Sequence, residues 1–518
     1  MNLLTDTWIP VELDGEIQRV SLKTVLCEDR DFKIKTFRDD MELATLQLLV
    51  CIVQVVFMPE DKKAIKVHWN NPLTESDFQQ GITPYLDWFD VLHPEIPFMQ
   101  TGRVKSEKGN KNWASLQKLF MGLPEKSSSS PTSNGFFDTP DEITSISIGD
   151  AAIALFQQAT NGFSLGGVGY SVGLKGSMPL TTLVISDTLR KSLWCNVLSR
   201  EFLQRTTQIL TAQLQEPTWV TPPHSKIPEE HALHIGLFRG LFWQPAKVKL
   251  ALTNGKVSGF YKEAGTCTVS GFWLHPHTPI NMLRLKENNP KEKPYLSARG
   301  DQPLWGQMLS YFYTDKQVTN LKEAGTSCAL VVQQHNEHAW LKGNIQLAVG
   351  GYIKGGSAES LAGRRHEIYS LESGWEDNSA ELNGLIEFAV SCQQRLNLAV
   401  ADFVDRAETT FNDRRDGKKK LSLGKEGNFK KHLKAKAKQL YFNNSESIMH
   451  SLLKEFHWND DLTPYQNQFT ALAATIFEYV VSPYEHEDKM LEPVINSRQF
   501  LNNMLKKLTY HLQGADND

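Results

Sequence analysis

Hydrophobic and polar positions fall into two textures that meet near residue 374. Before it, alternating and β-branched runs mix with helical spacing; after it, apolar residues recur at helical spacing and strand signals are sparse. In the first part, Thr7 to Leu13 and Gln18 to Leu22 alternate around Asp14-Gly15, which predicts a hairpin. The longest apolar run, Leu43 to Phe57, predicts a buried helix begun by Asp39-Asp40, whose carboxylates suit a helix N-terminus, and closed by Pro59. Thr74 reads as the N-cap of a second helix reaching about Leu92. Ile148 to Ala159 reads as helix, Leu180 to Ile185 as strand, and Leu189 to Gln213 as one long helix or a pair. Val248 to Thr253, Ala329 to Gln333 and Ile345 to Val349 read as strands, and a helix carrying Arg364, Arg365 and His366 is expected from near Ser357. Ala380 to Ala407, Asn428 to Phe442, Ser445 to Trp458, Tyr465 to Tyr479 and Val494 to Leu512 predict four or five amphipathic helices, a bundle. The expected fold class is α+β, a large mixed α/β domain over 1–374 followed by a helical bundle over 375–518.

Between a predicted helix and a predicted strand lies Asn161 to Pro179, with glycines at 162, 166, 167, 169, 173 and 176 and Lys175 at its exit. Glycines permit positive φ and close approach of another chain. Successive peptide N–H groups with one ammonium at the rim would suit an anionic backbone or a base edge in a groove. The same glycines also suit a plain surface loop with tight turns. Gly162-Phe163-Ser164-Leu165-Gly166 matches the G-x-S-x-G nucleophile elbow, so a serine hydrolase using Ser164 is the alternative; that elbow wants a strand before the serine, and a helix is predicted there. A second glycine run, Gly350 to Gly356, leads toward the helix expected near Ser357, an arrangement suited to anions, without the spacing of a P-loop. His275 and His277 lack a carboxylate or cysteine at metal-binding spacing, which favours packing roles; no metal and no cofactor is expected.

Charge changes the picture in one place. The formal net charge is −4, yet residues 414 to 438 carry eleven Lys and Arg against Asp416 and Glu426, a local +9 that leaves −13 elsewhere. That run is either a solvated helix face or a grip on nucleic acid. Pro124 to Pro140 is low in complexity but carries Phe136-Phe137, which either tuck into the core or order on a partner. The six cysteines are scattered singly, which fits a reduced compartment, and no secretory leader pattern opens the chain. Gln47 and Gln54 interrupt the longest apolar run, which is too short to span a bilayer. A cytoplasmic protein without a membrane partner is expected.

With these pieces in place, the chain resembles the CasA family, the large subunit of the type I-E CRISPR surveillance complex Cascade. The resemblance rests on NLLTDTWIPV at 2–11, RDDMELA at 38–44, NPLTESDFQQ at 71–80, PFMQT at 97–101 and AIALF at 152–156. It continues through the glycine stretch, RGLFWQPA at 239–246, Trp273 to His277, GGY at 350–352 and RRH at 364–366, and weakens in the helical C-terminal part. It implies a mixed α/β domain with a C-terminal four-helix bundle, and a non-enzymatic role. That role is to read the protospacer-adjacent motif (PAM) on double-stranded DNA, start strand separation and dock a helicase-nuclease, with guide RNA and the other Cascade subunits as partners. It places the family's glycine loop on Leu165 to Gly169, hence Gly166, Gly167, Val168 and Gly169, and its RNA and subunit contact loop on Phe136, Phe137 and Asp138, the last usually Asn. The family's PAM-directed lysine falls on Ala264, with Lys262 the nearest substitute. Its wedge glutamine falls within Lys354, Gly355, Gly356, Ser357 and Ala358, where this chain has no glutamine and a two-residue insertion. Lys418, Lys419, Lys420 and Lys425 are the expected nonspecific DNA contacts.

Overall fold

The computed structural model describes residues 1–102, 104, 113–123, 143–166, 170–206, 215–223, 229–265, 268–287, 293–300, 303–314, 325–338, 345–355, 361–372, 379–412, 428–455 and 461–513. The chain divides into two units. One comprises Met1–Gly300, Ser310–Lys316 and Leu321–Tyr369, and the other Ser370–Asp518 with Asp301–Leu309 and Gln317–Asn320.

The first unit mixes helices with small sheets, as expected for an α+β protein. Its opening hairpin pairs Ile9–Leu13 with Glu16–Val20 antiparallel, and Asp14 and Gly15 both have positive φ, as a two-residue hairpin turn of matching twist requires. Helix Asp39–Val56 is buried along nearly its whole length. Its polar interruptions are satisfied inside: Gln54 donates to the Leu198 carbonyl (2.9 Å) and accepts the Leu198 amide (2.6 Å). The helix from Thr74 is shorter than its pattern suggests. It runs over Glu75–Ile82 and gives way to 3₁₀ turns at Thr83–Tyr85 and Asp87–Phe89, the first holding Pro84.

Two further expectations are corrected. Leu330–Asn336 is a helix, not a strand, because its apolar run is short enough to read either way and tertiary burial decides. Leu361–Leu371, expected as helix, is a strand in the sheet ordered with Ile345–Lys354 in the middle and Thr181–Ile185 beyond it. Gly350 and Gly351 lie inside the central strand, where a Cβ on Gly350 would sit 2.4 Å from Leu43 Cδ2; that glycine serves packing of the sheet on the long helix.

The second unit is built on four helices, Ser379–Asn412, Asn428–Glu455, Thr463–Val481 and Asp488–Gln513. The two segments expected at 428–442 and 445–458 are one helix through Asn443-Asn444. A piece from far upstream completes the core: Trp305 is fully buried, with ring centroids 6.1 Å from Phe442 and 6.4 Å from Phe469. Among the described residues no helix is long and apolar enough to cross a membrane.

Candidate nucleic-acid interface

Both ends of the glycine stretch are anchored in the first unit's core. Helix Ile148–Asn161 begins at Ser147, whose hydroxyl accepts the Asp150 amide, and ends at Gly162, where a Cβ would lie 2.6 Å from the Gln158 carbonyl oxygen. Strand Thr181–Ile185 receives the chain on the other side. A buried chain of polar side chains ties the two ends together. Asn161 Nδ2 donates to Gln47 Oε1 (2.8 Å) and Gln157 Oε1 (2.6 Å), and Thr181 Oγ1 donates to Asn161 Oδ1 (3.1 Å). Gln157 donates to the Tyr352 hydroxyl, which donates to Asp40 (each 2.7 Å), and Arg38 holds Asp40 with two bonds of 2.9 and 2.8 Å. A buried network of this kind favours one arrangement, since a polar group left alone in the interior is costly; Arg38 Nη1 is the member without a partner among the described residues.

Lys175 belongs to that network, which corrects its expected place at the rim. It is 2% exposed, and its Nζ donates to Thr181 Oγ1 (3.2 Å) and Thr278 Oγ1 (3.3 Å). The cause is the path of the loop. At Gly173 a Cβ would fall 2.3 Å from the Ala159 carbonyl oxygen, and Gly176 has φ +84°, so this segment packs back onto the helix and carries Lys175 inward. Burial lowers the Lys175 pKa to about 7, against a smaller opposing effect of the Cys51 thiol. Burial and then the Lys175 charge hold His277 down at about 3, a packed neutral imidazole beside Gln47 (3.3 Å).

The cation that contacts the described flanks of this stretch is Lys262, on strand Lys256–Glu263. Its Nζ donates to the carbonyls of Leu165 (2.5 Å) and Gly166 (3.0 Å) and lies 4.6 Å from the centroid of the Tyr170 ring. It therefore contacts the chain on both sides of residues 167–169, and Gly166 has φ +77°. Gly167, Val168 and Gly169 lie outside the described residues.

A second pair of cations stands at the loop's exit. A Cβ on Gly176 would lie 2.9 Å from Lys293 Cδ and 3.2 Å from its Nζ, so the lysine stem runs across bare backbone. Burial and then the charge of Lys354 lower the Lys293 pKa. Neither ammonium has a carboxylate partner among the described residues. Lys354 ends its strand exposed and Gly355 follows half-buried, while Gly356, Ser357 and Ala358 lie outside the described residues. Leu361–Leu371 is a strand and not the expected helix, so it offers no helix N-terminus to an anion after the second glycine run; Arg364 on that strand pairs with Asp39 at 2.7 Å.

Ser164 follows a helix, and its hydroxyl accepts the Gly166 amide at 3.4 Å. No imidazole pairs with it among the described residues, so the strand-elbow-helix geometry of a hydrolase is missing there. Phe136, Phe137, Asp138, Lys418, Lys419, Lys420 and Lys425 lie outside the described residues.

The family described as CRISPR-associated protein Cse1 matches residues 2–481. The chain belongs to the Cse1 family. This is the CasA/Cse1 large subunit of type I-E Cascade, and the serine hydrolase alternative finds no support in the match. CasA/Cse1 of Thermus thermophilus is 24% identical over 444 residues, 80% of each chain. Among solved structures, Thermus thermophilus CasA (Cse1) superposes with a TM-score of 0.73 at 16% identity, over 98% of this chain and 99% of that one. Cse1 of Acidimicrobium ferrooxidans gives 0.70 at 16% identity, over 99% and 98%. A chain of a structure described as a CRISPR RNA-guided surveillance complex gives 0.64 at 12% identity, over 97% and 99%. These likenesses establish the Cse1 fold from end to end. Within that fold, Lys293 is the cation that sequence reading missed. Its only signal is the Lys-Glu-Lys run at 291–293, and nothing along the chain joins it to Gly176, 117 positions earlier.

Proposed function

We propose that this Cascade subunit reads the PAM on double-stranded target DNA at the glycine loop, begins strand separation there and docks the helicase-nuclease, working with guide RNA and the other subunits. The observation that carries this is Lys262 holding both limbs of a side-chain-poor loop, with Lys293 and Lys354 beside its exit. Two cations with no carboxylate partner among the described residues suit the flanking phosphates.

Exchanging a DNA duplex for a guide heteroduplex is close to neutral, with each DNA stacking step worth about 1.4 kcal/mol. The protein need supply only a few kcal/mol locally, the scale on which inserted elements unstack a step. Minor-groove readout is degenerate, mostly A·T against G·C, so tolerance for several PAMs is expected. Lys418, Lys419, Lys420 and Lys425 would grip flanking DNA without sequence preference; neutralising all four should flatten the salt dependence of binding while PAM preference stays as it was. No step needs a catalytic residue.

The deciding experiment is binding of the assembled complex to a randomised PAM library, wild type beside Gly167→Asp. A carboxylate at the tip should abolish PAM selection while leaving binding to a pre-opened target. Unchanged PAM selection would remove the glycine loop from the mechanism.

A further inference from the structure

The hairpin that delivers Lys262 to the glycine loop has a second face. Its strands Lys247–Thr253 and Lys256–Glu263 pair antiparallel, with Trp113–Ala114 added at the edge. Alternation along a strand sends successive side chains to opposite faces. Val248, Leu250 and Phe260 are buried on the inner face. On the outer face Trp113 stands in register with Tyr261, Lys249 with Tyr261, and Lys247 with Glu263. Trp113 is 43% exposed although it is a tryptophan. A Cβ on Gly259 would fall 2.2 Å from Trp113 Cζ2, so the indole lies against bare backbone with Tyr261 edge-on to it, ring centroids 5.2 Å apart. The glycine gives the ring a fixed seat while leaving it open to solvent.

A cavity of about 420 Å³ begins where this hairpin ends. Lys247 and Gly265 form one side, Trp219, Trp243 and Gln244 line it, and Glu95 is its one acidic wall residue. Aromatic surface beside lysines, on a rigid sheet and next to a concavity of nucleotide size, suits one chemistry: stacking of bases whose Watson–Crick partners are gone, with phosphates beside the ammonium groups. Of the lysines, Lys247 forms an ion pair with Glu263 at 3.7 Å.

We propose that the outer face of this hairpin, from Trp113 and Tyr261 to the Trp243 cavity, binds a short stretch of unpaired nucleic acid. The proposal rests on the PAM-reading role, because the same strand turns Lys262 toward the loop where the duplex would open and Tyr261 toward the platform.

The test uses a fluorescein-labelled deoxythymidine 15-mer and PAM-bearing duplex, each titrated against the assembled complex in anisotropy measurements. Trp113→Ser should weaken single-strand binding about tenfold, the loss expected of one stacked base. Trp113→Phe should recover most of that affinity, and duplex PAM selection should be unaffected by either. A 5-iodouracil placed in the strand should crosslink to the peptide holding Trp113 or Trp243. Equal single-strand affinity for wild type and Trp113→Ser, or crosslinks only elsewhere, would overturn the proposal. Loss of co-purifying subunits in Trp113→Ser with single-strand binding intact would overturn it in favour of a protein contact. Failure of Gly167→Asp to alter PAM selection while Trp113→Ser still loses the single strand would strike the duplex reading alone.

Discussion

Replacing Lys175 by Met tests how the glycine loop is anchored. The side chain is 2% exposed and donates to two threonine hydroxyls, with no carboxylate bonded to it among the described residues. A charged ammonium there has lost its water for two neutral acceptors, and burial brings its pKa from 10.5 to about 7. That depression corresponds to roughly 5 kcal/mol of preference for the neutral amine. The sign follows from proton counting. Between pH 7 and 10.5 the unfolded chain holds a proton on this lysine that the folded chain has shed, so wild-type stability rises with pH by about 1.4 kcal/mol per unit. Below pH 7 both states are protonated and the penalty is fully present. Methionine removes the titration and keeps the volume. Thermal unfolding of both proteins at pH 7 and pH 9, compared as a difference of differences, cancels the groups that do not sense the Lys175 charge. Because the folded amine is still half protonated at pH 7, wild type should gain about 2 kcal/mol relative to Lys175→Met between pH 7 and pH 9, a rise of several degrees in the midpoint at about 2 °C per kcal/mol. Parallel pH profiles would show that Lys175 keeps its proton in the fold and that the anchoring argument is mistaken.

Three other outcomes follow from the geometry. Lys262→Met removes two charge-assisted bonds to the loop carbonyls and the contact on Tyr170, and should cost the assembled complex about tenfold in duplex affinity at constant salt, measured by electrophoretic shift. The pair Lys293→Ala and Lys354→Ala should lower the slope of log K against log salt by about 1.8, the value for two phosphate contacts, and an unchanged slope would remove both from the interface. Trp305→Ala should destabilise the helical unit by roughly 3–5 kcal/mol, seen by calorimetry as a lower transition, because it empties a fully buried site beside Phe442 and Phe469.

The opening hairpin was legible because Asp14-Gly15 states its own turn, and the long core helix because eighteen residues of apolar spacing outweigh Gln47 and Gln54. The helical character of the C-terminal part was legible for the same reason, although Asn443-Asn444 suggested a break that side-chain packing on both flanks overrides. Short apolar runs were not legible. Leu330–Asn336 is helix where strand was expected, since seven residues carry too few periods to separate 3.6 from 2.0, and Leu361–Leu371 is strand where helix was expected, because pairing with Ile345–Lys354 decides it and not its own pattern.

At the candidate interface the division is sharper. Residue order alone determined that a glycine-rich stretch lies between a helix and a strand, and that the motifs around it are those of the Cse1 family, because both are properties of neighbours along the chain. Which lysine serves the loop was decided only by the tertiary structure. Lys175, adjacent in sequence, is drawn inside by the close approach of Gly173 to Ala159, whereas Lys262 and Lys293 arrive from about a hundred residues away. The free energy of placing a charge depends on what surrounds it in space, and contacts between distant segments leave no periodic trace in the order of residues.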